Sequence, residues 1–191
     1  MNDYSDILEY KFHNPQRNFS AKTPRRNPED EFAQQFTESY YENFLKIHTG
    51  TSRKNTLFMR EVPISGNGIA DLLVFNWAND LTQQGISDTA LEKFNPVVRA
   101  FEFKLKDWRK GMMQAHRYKY FSHASILVLP LEKLNQVESQ LDMFKKLRVG
   151  LWGFSKERGT ITCLFTPRPK QQFIPKYGQK AIQLANQAML S

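Results

Sequence analysis

A single cysteine, Cys163, stands in a chain of 191 residues, and that scarcity removes several classes of protein at once. No intramolecular disulfide can form, and no cluster of thiolates can hold zinc or an iron–sulfur centre. Disulfide-dense scaffolds are excluded and a reducing compartment is expected. Long apolar runs are missing too: nothing approaches the roughly 18–20 consecutive apolar residues that cross a bilayer. The opening MNDYSDILEY lacks the basic start and apolar stretch of a signal peptide. The expectation is a soluble, cytoplasmic protein with no membrane partner. No Gly-rich phosphate loop follows a strand, so a nucleotide-binding fold has no anchor. His48, His116 and His123 show neither HExxH nor another paired metal spacing, and read as surface or hydrogen-bonding residues.

Positive charge and aromatic rings are abundant. Lys and Arg number 27 against 19 Asp and Glu, a formal charge of +8, and 15 Phe, seven Tyr and three Trp accompany them. A cationic field attracts phosphate and flat rings stack on bases, so a polyanionic partner suits this composition. The length fits one domain able to bury a substantial core.

Residues 1–27 read as an irregular basic arm. At Asn27-Pro28-Glu29-Asp30-Glu31 an Asn cap, a first-turn proline and three acids announce a helix, expected to run to about His48 and to stop at Gly50. Phe32, Phe36, Tyr40, Phe44 and Ile47 form its apolar stripe. TLFMREVPIS and IADLLVFNW flank a Ser65–Gly68 turn as a strand pair. Residues 78–96 read as a loop insertion with one short helix. VVRAFEFKL is a strand, followed by a helix over about Trp108–Phe121, and ASILVLP at 124–130 is a covered strand. A helix carrying Leu131, Leu134, Val137, Leu141, Phe144 and Leu147 comes next, then a hairpin from VGLWGF and TITCLFT. Cys163, inside that last strand, reads as buried filler. Residues 167–191 form a basic, Pro-rich segment and a final helix packed on the same domain. The order predicts an α/β fold with a mixed central sheet flanked by helices. The passage from Val97 to Pro130 is long enough for a crossover between parallel strands.

Within VVRAFEFKLK the two-residue period of a strand puts Glu102 and Lys104 on one face. Such a pair is most often a surface ion pair. Asp71 is the one charge in the apolar run IADLLVF, where it sits at a strand edge, faces solvent or has a partner, because burying an unpaired ion costs several kcal/mol. Were the two strands neighbours, Asp71 and Glu102 would converge. Two carboxylates with carbonyl oxygens and water suit Mg²⁺ or Mn²⁺, and Lys104 is a movable charge that orients or deprotonates water.

Ile69-Ala70-Asp71, then Glu102-Phe103-Lys104, then a helix bearing Gln114-Ala-His-Arg-Tyr118 together resemble the PD-(D/E)xK nuclease superfamily, with a RecB-like Gln-x-x-x-Tyr helix. Ala70 replaces the usual proline. The resemblance covers about residues 30–130 and implies a restriction-endonuclease-like domain over 28–166 with metal-dependent cleavage of DNA phosphodiesters. It makes Asp71 and Glu102 the carboxylates for Mg²⁺, for which Mn²⁺ can substitute, and the Phe103 carbonyl a further ligand. Lys104 would position the attacking water, and Gln114 and Tyr118 would support the site. The first helix of this family often contributes a Glu. Glu38 and Glu42 both qualify, and Glu61 is a third candidate. Lys106, Arg109, Lys110, Arg117 and Lys119 would hold the DNA backbone without reading its sequence. Trp108 reads as a core anchor and Tyr120 as a ring able to stack on a base. A homodimer is compatible with this reading. The competing readings are a non-catalytic nucleic-acid-binding module on the same fold, and a scaffold in which these charges are structural.

Overall fold

Asn27 caps the first helix as its sequence expects: its Oδ1 accepts from the Glu29 amide at 3.2 Å, and α1 (Pro28–Ile47) follows with Glu29, Asp30 and Glu31 in its first turn. The computed structural model describes residues 27–47, 56–64, 66, 68–77 and 96–190, apart from the side chains at 44–46 and 188–190. The arm at 1–26, the stop at Gly50, His48 and the insertion at 78–95 lie outside the described residues, as does the side chain of Phe44.

After α1 the order is β1 (Thr56–Ile64), β2 (Gly68–Asn76), β3 (Val97–Phe103), α2 (Trp108–Tyr118) and β4 (Ala124–Pro130). A 3-10 turn at Leu131–Lys133, α3 (Leu134–Glu138), α4 (Leu141–Leu147), β5 (Val149–Ser155), β6 (Thr160–Phe165) and α5 (Pro175–Leu190) complete it. The strands form one six-stranded sheet in sequence order, so the fold is α/β with a mixed sheet flanked by helices. β1, β2 and β3 are antiparallel neighbours; β3, β4 and β5 run parallel; β6 returns antiparallel. α2 is the crossover that parallel β3 and β4 require. Gly66 and Gly68 carry the hairpin between β1 and β2 at φ of 84° and 86°, a region that disfavours any Cβ.

One face of the sheet lies under α1. Phe32, Phe36 and Tyr40 pack there on Phe101, Phe103, Trp152 and Phe154, with Phe36 edge-on to Phe154 at 5.6 Å and 90°. The other face carries two clusters. Ala181 and Ala185 of α5 cover β1 and β2, while Met112 and Ala115 of α2, Leu134 and Val137 of α3 and Phe144 of α4 cover β4 and β5.

The helix expected over Leu131–Leu147 is broken into the 3-10 turn, α3 and α4. The break serves packing: Leu131 and Leu134 close over Gly153, while Phe144 meets Trp108 at 6.0 Å. α2 ends three residues earlier than expected, and α5 begins at Pro175, whose fixed φ suits a first helical turn. Cys163 is free and exposed rather than buried filler, because β6 is an edge strand whose residues are exposed or half-covered.

Candidate active site

The strict alternation of β1 and β2 slips by one residue at Glu61 and Asp71. Leu57, Met59, Leu73 and Phe75 pack on the α5 side, yet so do Val62, Ile64 and Ala70. The pairing passes from Arg60 with Leu72 to Val62 with Ala70, and Glu61, between them, has a left-handed φ of 51°. Such a conformation costs a residue with a Cβ on the order of 1–2 kcal/mol. The kink therefore falls beside the one acid of β2, and the recorded β2 to β3 pairing stops at Leu72 with Phe101. Asp71 spans the gap: its Oδ2 accepts from the Phe103 amide at 2.8 Å.

Beyond Phe103 the chain carries Lys104, whose Nζ lies 2.8 Å from Glu102 Oε1 and 3.6 Å from Glu29 Oε2. The shared face of Glu102 and Lys104 expected from strand periodicity is thus present. Glu102 is 1% exposed, and its other oxygen, Oε2, takes the Tyr118 hydroxyl, which also lies 2.9 Å from the Ile69 carbonyl. Oε1 takes the Lys104 ammonium, so both oxygens of this buried carboxylate have a partner. One turn before Tyr118 on the same helix, Gln114 Oε1 is buried without a partner.

Glu29 is the site residue that sequence reasoning passed over. Its Oε1 accepts from the Leu105 amide at 3.2 Å while Oε2 faces Lys104, so the first turn of α1 is tied to the end of β3. Its place directly after the Asn-Pro cap was the available signal, but it read as a helix-dipole partner. Glu38 and Glu42 are corrected accordingly. Both are exposed, Glu38 is hydrogen-bonded to Gln34 on its own helix, and neither lines the cleft near Asp71. Glu61 does line it.

That cleft, about 130 Å³, is walled by Asn27, Glu29, Asp30 and Ala33 of α1 and its cap, by Arg60 and Glu61, and by Asp71 and Phe103. Arg60 donates to the Asp30 carbonyl at 3.2 Å, holding α1 over β1. Asp71 therefore faces the cleft under α1, Glu102 is enclosed against α2, and Lys104 contacts acids from both directions.

The charges respond to this crowding. Burial pushes Asp71 up to about 7, with the negative charge of Glu102 adding to it and the Phe103 amide and Lys104 opposing it. Burial also raises Glu102, against the pull of Lys104 and Tyr118. Burial works to discharge Lys104, but Glu102, Asp71 and Glu29 outweigh it and hold the amine above its ordinary range. The acids around it thus favour the ammonium form of Lys104, the form that orients an oxygen.

Among the described residues, no three His, Cys, Asp or Glu side chains form a group that could hold a metal ion. Fit to a cation rests on less: Asp71, a Glu102 carboxylate already engaged by Lys104 and Tyr118, and main-chain carbonyls such as Phe103. That hard-oxygen set suits Mg²⁺, which keeps several waters and takes one or two carboxylates plus substrate phosphate.

The basic residues spread along α2. Lys106, Arg109, Lys110 and Arg117 are exposed, with the Arg109 guanidinium 4.4 Å over the Trp108 ring. Trp108 is an anchor on Phe144, as expected. Lys119 departs from the group: it donates to the Leu147 carbonyl and sits over Phe173, facing the C-terminal segment. His123 accepts from the Val98 amide through Nδ1 at 2.9 Å, a hydrogen-bonding role. No helix of the described residues is long and apolar enough to cross a membrane. Comparison with protein-family models, with curated proteins and with solved structures gave no match.

Proposed function

We propose that this protein is a Mg²⁺-dependent nuclease that hydrolyses phosphodiester bonds of DNA, built on a restriction-endonuclease-like variant of its α/β fold and acting in the cytoplasm. One observation carries the reading: two carboxylates from separate strands and one ammonium crowd where β2 and β3 part, and burial, with the charge of Glu102 adding to it, pushes Asp71 up to about 7. A raised acid that lines a cleft beside a charge partner is a feature that functional sites display.

Asp71, on the cleft side, would hold the cation with the Phe103 carbonyl, and Glu102, enclosed against Tyr118, would have to turn toward it to join them. Bound Mg²⁺ would lower the pKa of a coordinated water and offset charge developing on the phosphate. Lys104 would orient the attacking water, Glu29 and Tyr118 fix Lys104 and Glu102, and Gln114 carries an unpartnered buried acceptor one turn before Tyr118. Lys106, Arg109, Lys110 and Arg117 would receive the DNA backbone.

The test is incubation with linear DNA and Mg²⁺ or Mn²⁺. Cleavage that is abolished by chelation and lost in both Asp71→Asn and Lys104→Met supports the assignment; cleavage that survives either substitution refutes it. A second reading, a non-catalytic nucleic-acid-binding module, draws on the closed state of Glu102 and the lack of a three-acid cage among the described residues. DNA binding without metal binding or cleavage would favour it.

A further inference from the structure

At the far end of α2 the chain builds a second cationic surface that the candidate site does not use. After β6 the segment at 167–174 crosses this end and is fastened by its backbone: Lys170 to the His123 carbonyl at 2.9 Å, Phe173 to Lys119 at 3.0 Å and Ile174 to Tyr120 at 3.2 Å. Fastened this way, it leaves two rings in solvent, Phe173 at 56% and Tyr120 at 37% exposure, with centroids 6.2 Å apart. The Lys119 ammonium lies 4.6 Å from the Phe173 centroid and also donates to the Leu147 carbonyl at 2.6 Å.

Arg148 adds a second charge at some cost. It ends α4 in the left-handed region at φ of 54°, where glycine is the favoured residue, and its guanidinium donates to the Arg168 carbonyl at 2.8 Å. Burial, and after it the charge of Arg148, lowers the pKa of Lys119, so the two cations repel. Among the described residues no carboxylate forms an ion pair with Lys119, Arg148, Arg168 or Lys170. Unrelieved cations beside rigidly presented rings match a strand whose phosphates meet the charges and whose unstacked bases meet the rings. A duplex hides its base faces and would leave the rings idle.

We infer that Lys119, Tyr120, Arg148, Lys170 and Phe173 form a binding surface for single-stranded nucleic acid. This goes beyond the nuclease reading, since it needs neither metal nor Asp71 and stands if no cleavage is ever found.

The experiment is fluorescence anisotropy with a labelled oligothymidylate of about 12 nucleotides, matched to typical single-strand site sizes, in chelator so that cleavage cannot interfere. The wild type is expected to bind it more tightly than a duplex of equal length. Tyr120→Ala and Phe173→Ala should each weaken binding roughly tenfold, Phe173→Trp should restore it, and Lys119→Gln with Lys170→Gln should flatten its salt dependence. All these side chains are at least partly exposed, and circular dichroism of each variant checks the fold. Unchanged affinity in the Tyr120→Ala, Phe173→Ala double variant overturns the proposal. So does equal binding of duplex, or displacement of the oligonucleotide by polyglutamate at equal charge, which would mark an acidic protein as the fitting partner.

Discussion

Gly111 faces Lys104 across the gap between α2 and β3 so closely that a methyl group there would come 2.6 Å from Lys104 Cγ and 2.7 Å from Leu127 Cδ1. The missing side chain makes room for the amine beside Glu102. Gly111→Ala gains about 1 kcal/mol of helix propensity, yet overpacking costs roughly 1–3 kcal/mol. The expected outcome is a melting temperature within a few degrees of wild type and at least a tenfold fall in DNA cleavage, since a 1 Å misplacement can cost about 10²-fold. Melting curves and cleavage assays on one preparation separate the two effects.

Removing the Tyr118 hydroxyl leaves the buried Oε2 of Glu102 without its donor. Tyr118→Phe should cost about 1–3 kcal/mol, a drop of roughly 3–8 °C by calorimetry. Adding Glu102→Gln should recover part of that loss, because a neutral amide suffers less from burial than a carboxylate. A strictly additive double variant would show that the two groups are not coupled.

Asp71 gives a pH signature with a definite sign. Its folded pKa is about 7 against an ordinary 3.8, so the charged form is disfavoured by folding. Below the ordinary value both states are protonated and nothing is lost; stability then falls as pH rises through about 7, and the full penalty applies above it. Asp71→Asn should therefore melt higher than wild type at about pH 8 in metal-free buffer, by on the order of 2 kcal/mol, with the gap closing by about pH 4. A difference independent of pH would contradict the raised pKa.

Glu29→Gln keeps an acceptor for the Leu105 amide but removes the negative charge facing Lys104. Cleavage should fall several-fold, while Glu38→Gln and Glu42→Gln, on exposed positions of the same helix, should match wild type. Steady-state cleavage rates on the three variants decide between the acids of α1.

Periodicity and punctuation carried much of this architecture. The Phe32, Phe36, Tyr40 stripe, the glycine turn, and the spacing of Glu102 and Lys104 are local patterns, and local patterns are readable in one dimension. Cys163 was misjudged because an apolar strand looks alike at the centre and at the edge of a sheet, and only strand order tells them apart. Glu29 was passed over because its partners lie 75 and 76 residues away, at Lys104 and Leu105. The slip at Glu61 and Asp71 went unread: Pro63 marks an edge strand or a bulge without placing it, and the left-handed residue is a glutamate, where a glycine would have announced itself.

Glu29 is held at Leu105, 76 residues on, and Asp71 at Phe103, 32 residues on, so a freshly made chain must close long loops before these groups share a neighbourhood. Loop closure of this kind comes late compared with hairpin formation. During refolding, the β1 and β2 ribbon can therefore assemble early, and the charge cluster around Lys104 is completed only when those distant segments meet.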